Sequence, residues 1–83
     1  MYKISISPRA KRHLKEITKE THREAIALAI EELRDNPYAG KKLTRELTGK
    51  YSFRVGIYRI IYQIIEKDKR VEILTAGHRS NIY

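Results

Sequence analysis

The sequence predicts an α+β fold in the order β-α-α-β-β-β, a largely antiparallel four-stranded sheet with a helical hairpin packed on one face. Three patterns carry that prediction. Period-two alternation opens the chain, two stretches of helical spacing follow, and period-two alternation returns from Tyr51 onward. Eighty-three residues give one domain, 1–83, with no room for a second core.

In the first strand Tyr2, Ile4 and Ile6 alternate with Lys3 and Ser5. Ser7-Pro8 then switches the period, with serine as N-cap and proline at the first helical position. Ala10, Leu14 and Ile17 follow at helical spacing, flanked by Arg9, Lys11, Arg12 and Lys15 as a solvated face. Thr21-His22-Arg23-Glu24 fits a capping box for the second helix. Its apolar face is Ile26, Ala29, Ile30 and Leu33, and Asn36-Pro37 ends it. A loop runs from Tyr38 to about Gly49. Tyr51, Phe53 and Val55 then alternate with Ser52 and Arg54, Gly56 gives a turn, and Tyr58 to Ile64 alternate again. A second turn falls at Lys67-Asp68-Lys69, and Val71 to Ala76 form the last strand.

Composition narrows the function. Lys and Arg number 18 against 10 Asp and Glu, a net charge of +8, which on so short a chain points to a polyanionic partner. The basic residues are interleaved with strand positions instead of lining one amphipathic helix, which favours nucleic acid over membrane. The absence of cysteine excludes a disulfide framework, a thiolate metal site and a thiolate nucleophile. His13, His22 and His78 have no metal-ligand spacing, and His13 and His22 read as surface or capping residues. No metal or small-molecule cofactor is expected. The N-terminal residues carry no apolar signal region and no apolar stretch approaches a membrane span, so the expected location is cytoplasmic.

Two segments concentrate the chemistry. If Gly56-Ile57 centres a hairpin, Arg54 lies directly opposite Arg59. Tyr51, Phe53, Val55, Tyr58, Ile60, Tyr62 and Ile64 then share the core face, while Lys50, Ser52, Arg54, Arg59 and Gln63 share the other. A slip of one residue would bury the arginines. Like charges facing each other across a ladder destabilise it by up to about 1 kcal/mol, a cost that a bound phosphate would relieve. Pairing of each arginine with Glu46, Glu66 or Glu72 is the structural alternative. Lys41, Lys42 and Arg45 border the hairpin as further electrostatic contacts. The second segment is Gly77-His78-Arg79-Ser80-Asn81-Ile82-Tyr83, which follows the last strand. It brings an imidazole, a guanidinium and a phenol to one place. On extended chain His78 and Arg79 point to opposite faces.

Leu47 to Tyr62, followed by Ala76-Gly77-His78-Arg79 and Tyr83, resembles the RelE branch of the RelE/ParE toxin superfamily over essentially the whole chain. The resemblance implies an mRNA interferase that enters the ribosomal A site, cleaves the bound codon, and is blocked by an acidic RelB-like antitoxin. It implies that Arg59 contacts the scissile phosphate, that Arg79 stabilises the phosphate or helps protonate the leaving group, and that Tyr83 stacks on or orients the substrate. Lys50 and Arg54 match basic residues of the preceding strand; Lys50 joins Arg59, Arg79 and Tyr83 in the expected catalytic set, with Arg54, Ser52, His78, Lys41, Lys42 and Arg45 as RNA contacts. Many relatives carry a lysine, a candidate general base, where this chain has Ser52; His78 and Tyr83 are the substitutes. Two other readings compete: a ParE-like gyrase inhibitor on the same fold, and a noncatalytic basic RNA-binding module.

Overall fold

The computed structural model describes residues 1–78. Its elements are β1 (Lys3–Ile6), α1 (Pro8–Lys15), α2 (Glu20–Asp35), β2 (Lys41–Lys42), β3 (Lys50–Val55), β4 (Tyr58–Ile65) and β5 (Arg70–His78). The strands form one sheet in the order β1-β5-β4-β3-β2. β1 runs parallel to β5, and every other pairing is antiparallel. The α+β order read from the sequence is therefore observed, with a fifth strand inside the segment expected to be loop. β2 is only two residues long, Lys41 pairing with Ser52 and Lys42 with Tyr51.

The helical start is local chemistry. Ser7 is extended and its Oγ accepts from the Ala10 amide at 3.0 Å, with Pro8 in the first helical turn. The same hydroxyl donates to the Leu74 carbonyl at 2.8 Å. That carbonyl belongs to a bulge: Ile61 pairs with Thr75 but Tyr62 with Ile73, so Leu74 is the extra residue. The N-cap serine thus serves two backbone groups at once and ties α1 to β5.

Two helix expectations need correction. α1 ends at Lys15, and Ile17, assigned to its apolar face, lies in the connection while still 5% exposed. The capping box at Thr21 does not form either: α2 begins at Glu20 with Lys19 as N-cap and no side-chain cap bond. Glu20 in the first turn supplies the favourable charge at that end instead. The last strand also runs longer than expected, Arg70–His78 instead of Val71–Ala76.

The core joins both helices to one face of the sheet. Ala10, Ile17, Ile26, Ala29 and Leu33 meet Ile60, Tyr62, Val71, Ile73 and Ala76, with Tyr51, Phe53, Val55, Tyr58 and Ile64 packed around them. The bulge sets the end of β5. Val71 and Ile73 face the core, and the extra residue makes Ala76 the next core position. In consequence Gly77 pairs with Arg59 and His78 with Tyr58.

Candidate nucleic-acid interface

The hairpin turns at Gly56, whose φ of +59° suits the first central position of a two-residue turn. The register follows: Arg54 faces Arg59, Ser52 faces Ile61 and Lys50 faces Gln63. Beyond Arg59 the next strand presents Gly77, which has no side chain. On the edge side Lys41 pairs with Ser52. Lys41, Leu43, Ser52, Arg54 and Arg59 line an open depression of about 300 Å³ on the sheet face away from the helices.

Two of the three carboxylates named as alternative partners have other contacts. Glu66 accepts from Tyr2, Tyr38 and Lys69, and Glu72 accepts from the Gln63 amide at 2.6 Å. Among the described residues the ion pairs are Arg34–Glu31, Lys69–Glu66 and Arg70–Asp68, and Arg54 joins none of them. Ser52 is 8% exposed and sits at the floor of the depression, in line with Lys41 and flanked by the arginine row.

A buried tyrosine holds the edge strand in place. Tyr62 has no exposed surface, and its hydroxyl donates to the Pro37 carbonyl at 2.7 Å while accepting from the Gly40 amide at 3.0 Å. Burial pushes this phenol up to about 12, so it remains a neutral donor. A Cβ on Gly40 would lie 2.3 Å from that hydroxyl and 2.9 Å from the Ser52 carbonyl. Only glycine admits this approach, which delivers Lys41 to the arginine depression.

The remaining sequence-derived candidates separate. Lys50 stands four residues from Arg54 along β3, about 13 Å at roughly 3.3 Å per residue, and borders a second depression. Lys42 points to that second depression as well. Arg45 lies in the exposed 3-10 turn 45–47 and lines neither one. His78 pairs with Tyr58 and approaches its ring edge-on at 6.4 Å, placing the imidazole on the helix side, across the sheet from Arg59. Arg79 and Tyr83 lie outside the described residues.

His13 and His22 are more than capping residues. His22 Nδ1 bonds the Tyr58 hydroxyl at 3.0 Å, with the rings 5.1 Å apart, and His13 Nδ1 bonds Thr75 Oγ1 at 2.7 Å. Each ties a helix to the sheet. Among the described residues no three His, Cys, Asp or Glu side chains gather as a metal site, and no helix is long and apolar enough to cross a membrane.

A family model described as the ParE toxin of the type II toxin-antitoxin system parDE matches residues 4–83. The toxin RelG of Mycobacterium tuberculosis is 34% identical over 83 residues, covering 99% of this chain and 95% of that protein. The chain belongs to the RelE/ParE toxin family. The toxin RelE of the same organism is 32% identical, with 99% of this chain and 86% of the relative covered. In structure the chain is similar to one from the M. tuberculosis toxin-antitoxin complex RelBE2, at a TM-score of 0.84 and 33% identity over 94% of this chain and 98% of that one. This is a RelE-type toxin of a type II toxin-antitoxin system, with the α+β architecture of that family.

The sequence reading missed the pin from Tyr62 to Gly40, although Gly40 between Tyr38-Ala39 and Lys41-Lys42 was a signal for close backbone approach. It also missed the exposed aromatic at Tyr38. Pro37-Tyr38 directly after a helix end marks a residue held at a turn.

Proposed function

We propose that this RelE-type toxin is a ribosome-dependent endoribonuclease that cleaves mRNA in the ribosomal A site and thereby inhibits translation. The observation that carries the reading is Arg54 facing Arg59 across the ladder, with Lys41 beside them and glycine alone on the next strand. A phosphodiester fits two facing guanidinium groups at the rim of an open depression, because the planar guanidinium fork grips two phosphate oxygens.

RNA brings its own nucleophile. The 2′-hydroxyl attacks phosphorus, the bond from phosphorus to the 5′-oxygen breaks, and a cyclic phosphate is left on the upstream nucleotide. One proton leaves the 2′-oxygen and one reaches the departing 5′-oxygen. Arg59 and Arg54 stabilise the charge that builds on the phosphorane. One such preorganised donor is typically worth about 3–4 kcal/mol in rate. Arg79 carries the leaving-group side by family resemblance. With His78 turned to Tyr58 on the helix side, Tyr83 is the favoured substitute for the base that Ser52 does not supply. A site so poor in acid-base groups needs its substrate aligned from outside, and the ribosome supplies that alignment.

The proposed regulator is an acidic RelB-like antitoxin, supported by similarity to a toxin solved in a RelBE complex. A partner that binds only the folded toxin must raise its melting temperature. The activity test adds the purified chain to ribosomes holding a defined codon in the A site and maps cuts by primer extension. Arg59→Ala, Arg79→Ala and ribosome-free mRNA run alongside. A cut within the A-site codon, lost in all three controls, is the expected result. Supercoiling inhibition of gyrase without any cut would transfer the chain to the ParE-like reading, which the description of the matching family model keeps in view.

A further inference from the structure

We propose that the second depression, at the β2–β3 edge, is a binding site for one unpaired nucleotide of an RNA strand that also occupies the arginine depression. The inference deepens the endoribonuclease reading and rests on it. The cavity measures about 500 Å³ and is bordered by Tyr38, Lys42, Thr44, Thr48, Lys50 and Tyr51. That volume lies within the roughly 300–1,000 Å³ of ordinary small-molecule sites.

Its aromatic wall is anchored from the core outward. Tyr51 stacks on buried Tyr62 at 5.4 Å and 19°, and Tyr38 meets Tyr51 edge-on at 6.0 Å. Tyr38 remains 52% exposed. Its hydroxyl donates to the Glu66 carboxylate, which also receives the Tyr2 hydroxyl. A half-exposed ring fixed at both ends is a preformed stacking surface that loses little entropy on binding. The hydrogen bond to Glu66 pushes the Tyr38 phenol up to about 12.

Charge sets the occupant. Lys42 and Lys50 stand at the rim, form no ion pair with another described residue, and no acidic side chain lines the cavity. Polyanion and aromatic base together describe a nucleotide better than an acidic peptide, which would leave the tyrosines without a stacking partner. Leu43 borders both depressions. Between them runs the edge strand, where Lys41 pairs with Ser52 on the arginine side and Lys42 with Tyr51 on the other. Consecutive strand residues point to opposite faces, so a phosphate backbone crossing this edge meets one lysine on each side. Entry of a base requires that it be unstacked, which confines the site to single-stranded RNA.

The test measures fluorescence anisotropy of a labelled single-stranded octanucleotide RNA against salt concentration, for wild type and for Tyr38→Ala, Tyr38→Phe, Lys42→Ala and Arg59→Ala. Tyr38→Ala should weaken binding by about five- to a hundredfold, the effect of one lost base–aromatic stack. Tyr38→Phe, which loses the bond to Glu66 but keeps the ring, should bind more weakly than wild type and more tightly than Tyr38→Ala. Lys42→Ala should lower the slope of log affinity against log salt by about one, and does not depend on how well Tyr38→Ala folds. Wild-type affinity in Tyr38→Ala together with an unchanged slope in Lys42→Ala overturns the proposal. Arg59→Ala reads the parent site separately: if it alone weakens binding, the arginine reading stands and the edge site falls. A poly-glutamate peptide that displaces the octanucleotide from wild type but not from Lys42→Ala would leave the edge site in place. Protection of Tyr38 by that peptide and not by RNA would overturn it.

Discussion

On the helix side of the β3–β4 hairpin, Ile60 and Tyr62 are fully buried and Tyr51 stacks on Tyr62. On the open side the same two strands set Arg54 against Arg59 around Ser52. One alternation produces both, yet the two faces answer to different physics. Each buried aromatic removes roughly 150–250 Å² from water and strongly favours the fold. Like charges facing each other across a ladder generally disfavour it, by up to about 1 kcal/mol. A hairpin stabilised on one side tolerates an unfavourable charge arrangement on the other, and the proposed phosphate site would depend on that tolerance.

If the two faces are independent in this way, Arg59→Ala should separate them most sharply. Cleavage of A-site mRNA should fall by about 10²–10³-fold, the effect of removing one preorganised donor. The thermal midpoint should not fall with it. A variant that loses activity and melts earlier would make Arg59 a structural residue and collapse the contrast.

Tyr62 is where the two faces touch, because its hydroxyl holds the edge strand that carries Lys41. Tyr62→Phe keeps the ring but leaves the Pro37 carbonyl and the Gly40 amide without their partner. Urea unfolding should show a loss of about 1–3 kcal/mol. Gly40→Ala attacks the same contact from the other side, since its Cβ would sit 2.3 Å from the tyrosine hydroxyl. Overpacking of this kind costs typically about 1–3 kcal/mol. The two losses should be strongly non-additive in the double variant, because both break one bond.

Arg54→Thr should act in the opposite direction on the two properties. Removing one of the facing charges and substituting a strand-favouring residue should raise stability by up to about 1 kcal/mol. RNA affinity should drop and its salt dependence flatten. A destabilised Arg54→Thr would show that Arg54 contributes packing that outweighs its charge.

How much of this was legible depended on the length of each pattern. The hairpin register was readable because large apolar and basic residues alternate from Tyr51 to Ile64 with one glycine between. Ser7-Pro8 was readable because capping is a local event. β2 was not, since Lys41-Lys42 is too short to show alternation and owes its pairing to Gly40 and Tyr62. The bulge at Leu74 leaves only a short trace: Val71, Glu72 and Ile73 alternate, and Leu74-Thr75-Ala76 shifts that alternation by one residue. It nevertheless decides that His78 joins Tyr58 while Gly77 lies beside Arg59. That Lys42 and Lys50 border a second depression was equally unreadable, because β2 was unseen.

The weakest expected effect concerns the carboxylate that keeps Tyr38 rigid. The hydrogen bond from Tyr38, then that from Tyr2, holds Glu66 below its ordinary value of 4.5. A carboxyl with a depressed folded value contributes stability that is fully present above its unfolded value and is lost as the pH falls through the folded one. Wild type should therefore exceed Glu66→Gln in stability at neutral pH, with the difference closing as the pH falls below the ordinary carboxyl value. The effect is small because Glu66 is exposed and its partners compete with water. Its functional consequence is more specific than its size. Glu66→Gln should loosen Tyr38 and weaken single-stranded RNA binding, while leaving the arginine depression unchanged. Chemical denaturation at neutral and at low pH, paired with anisotropy at neutral pH, reads the two effects together. A difference in stability that persists at low pH would mean that Glu66 acts through packing and not through its charge.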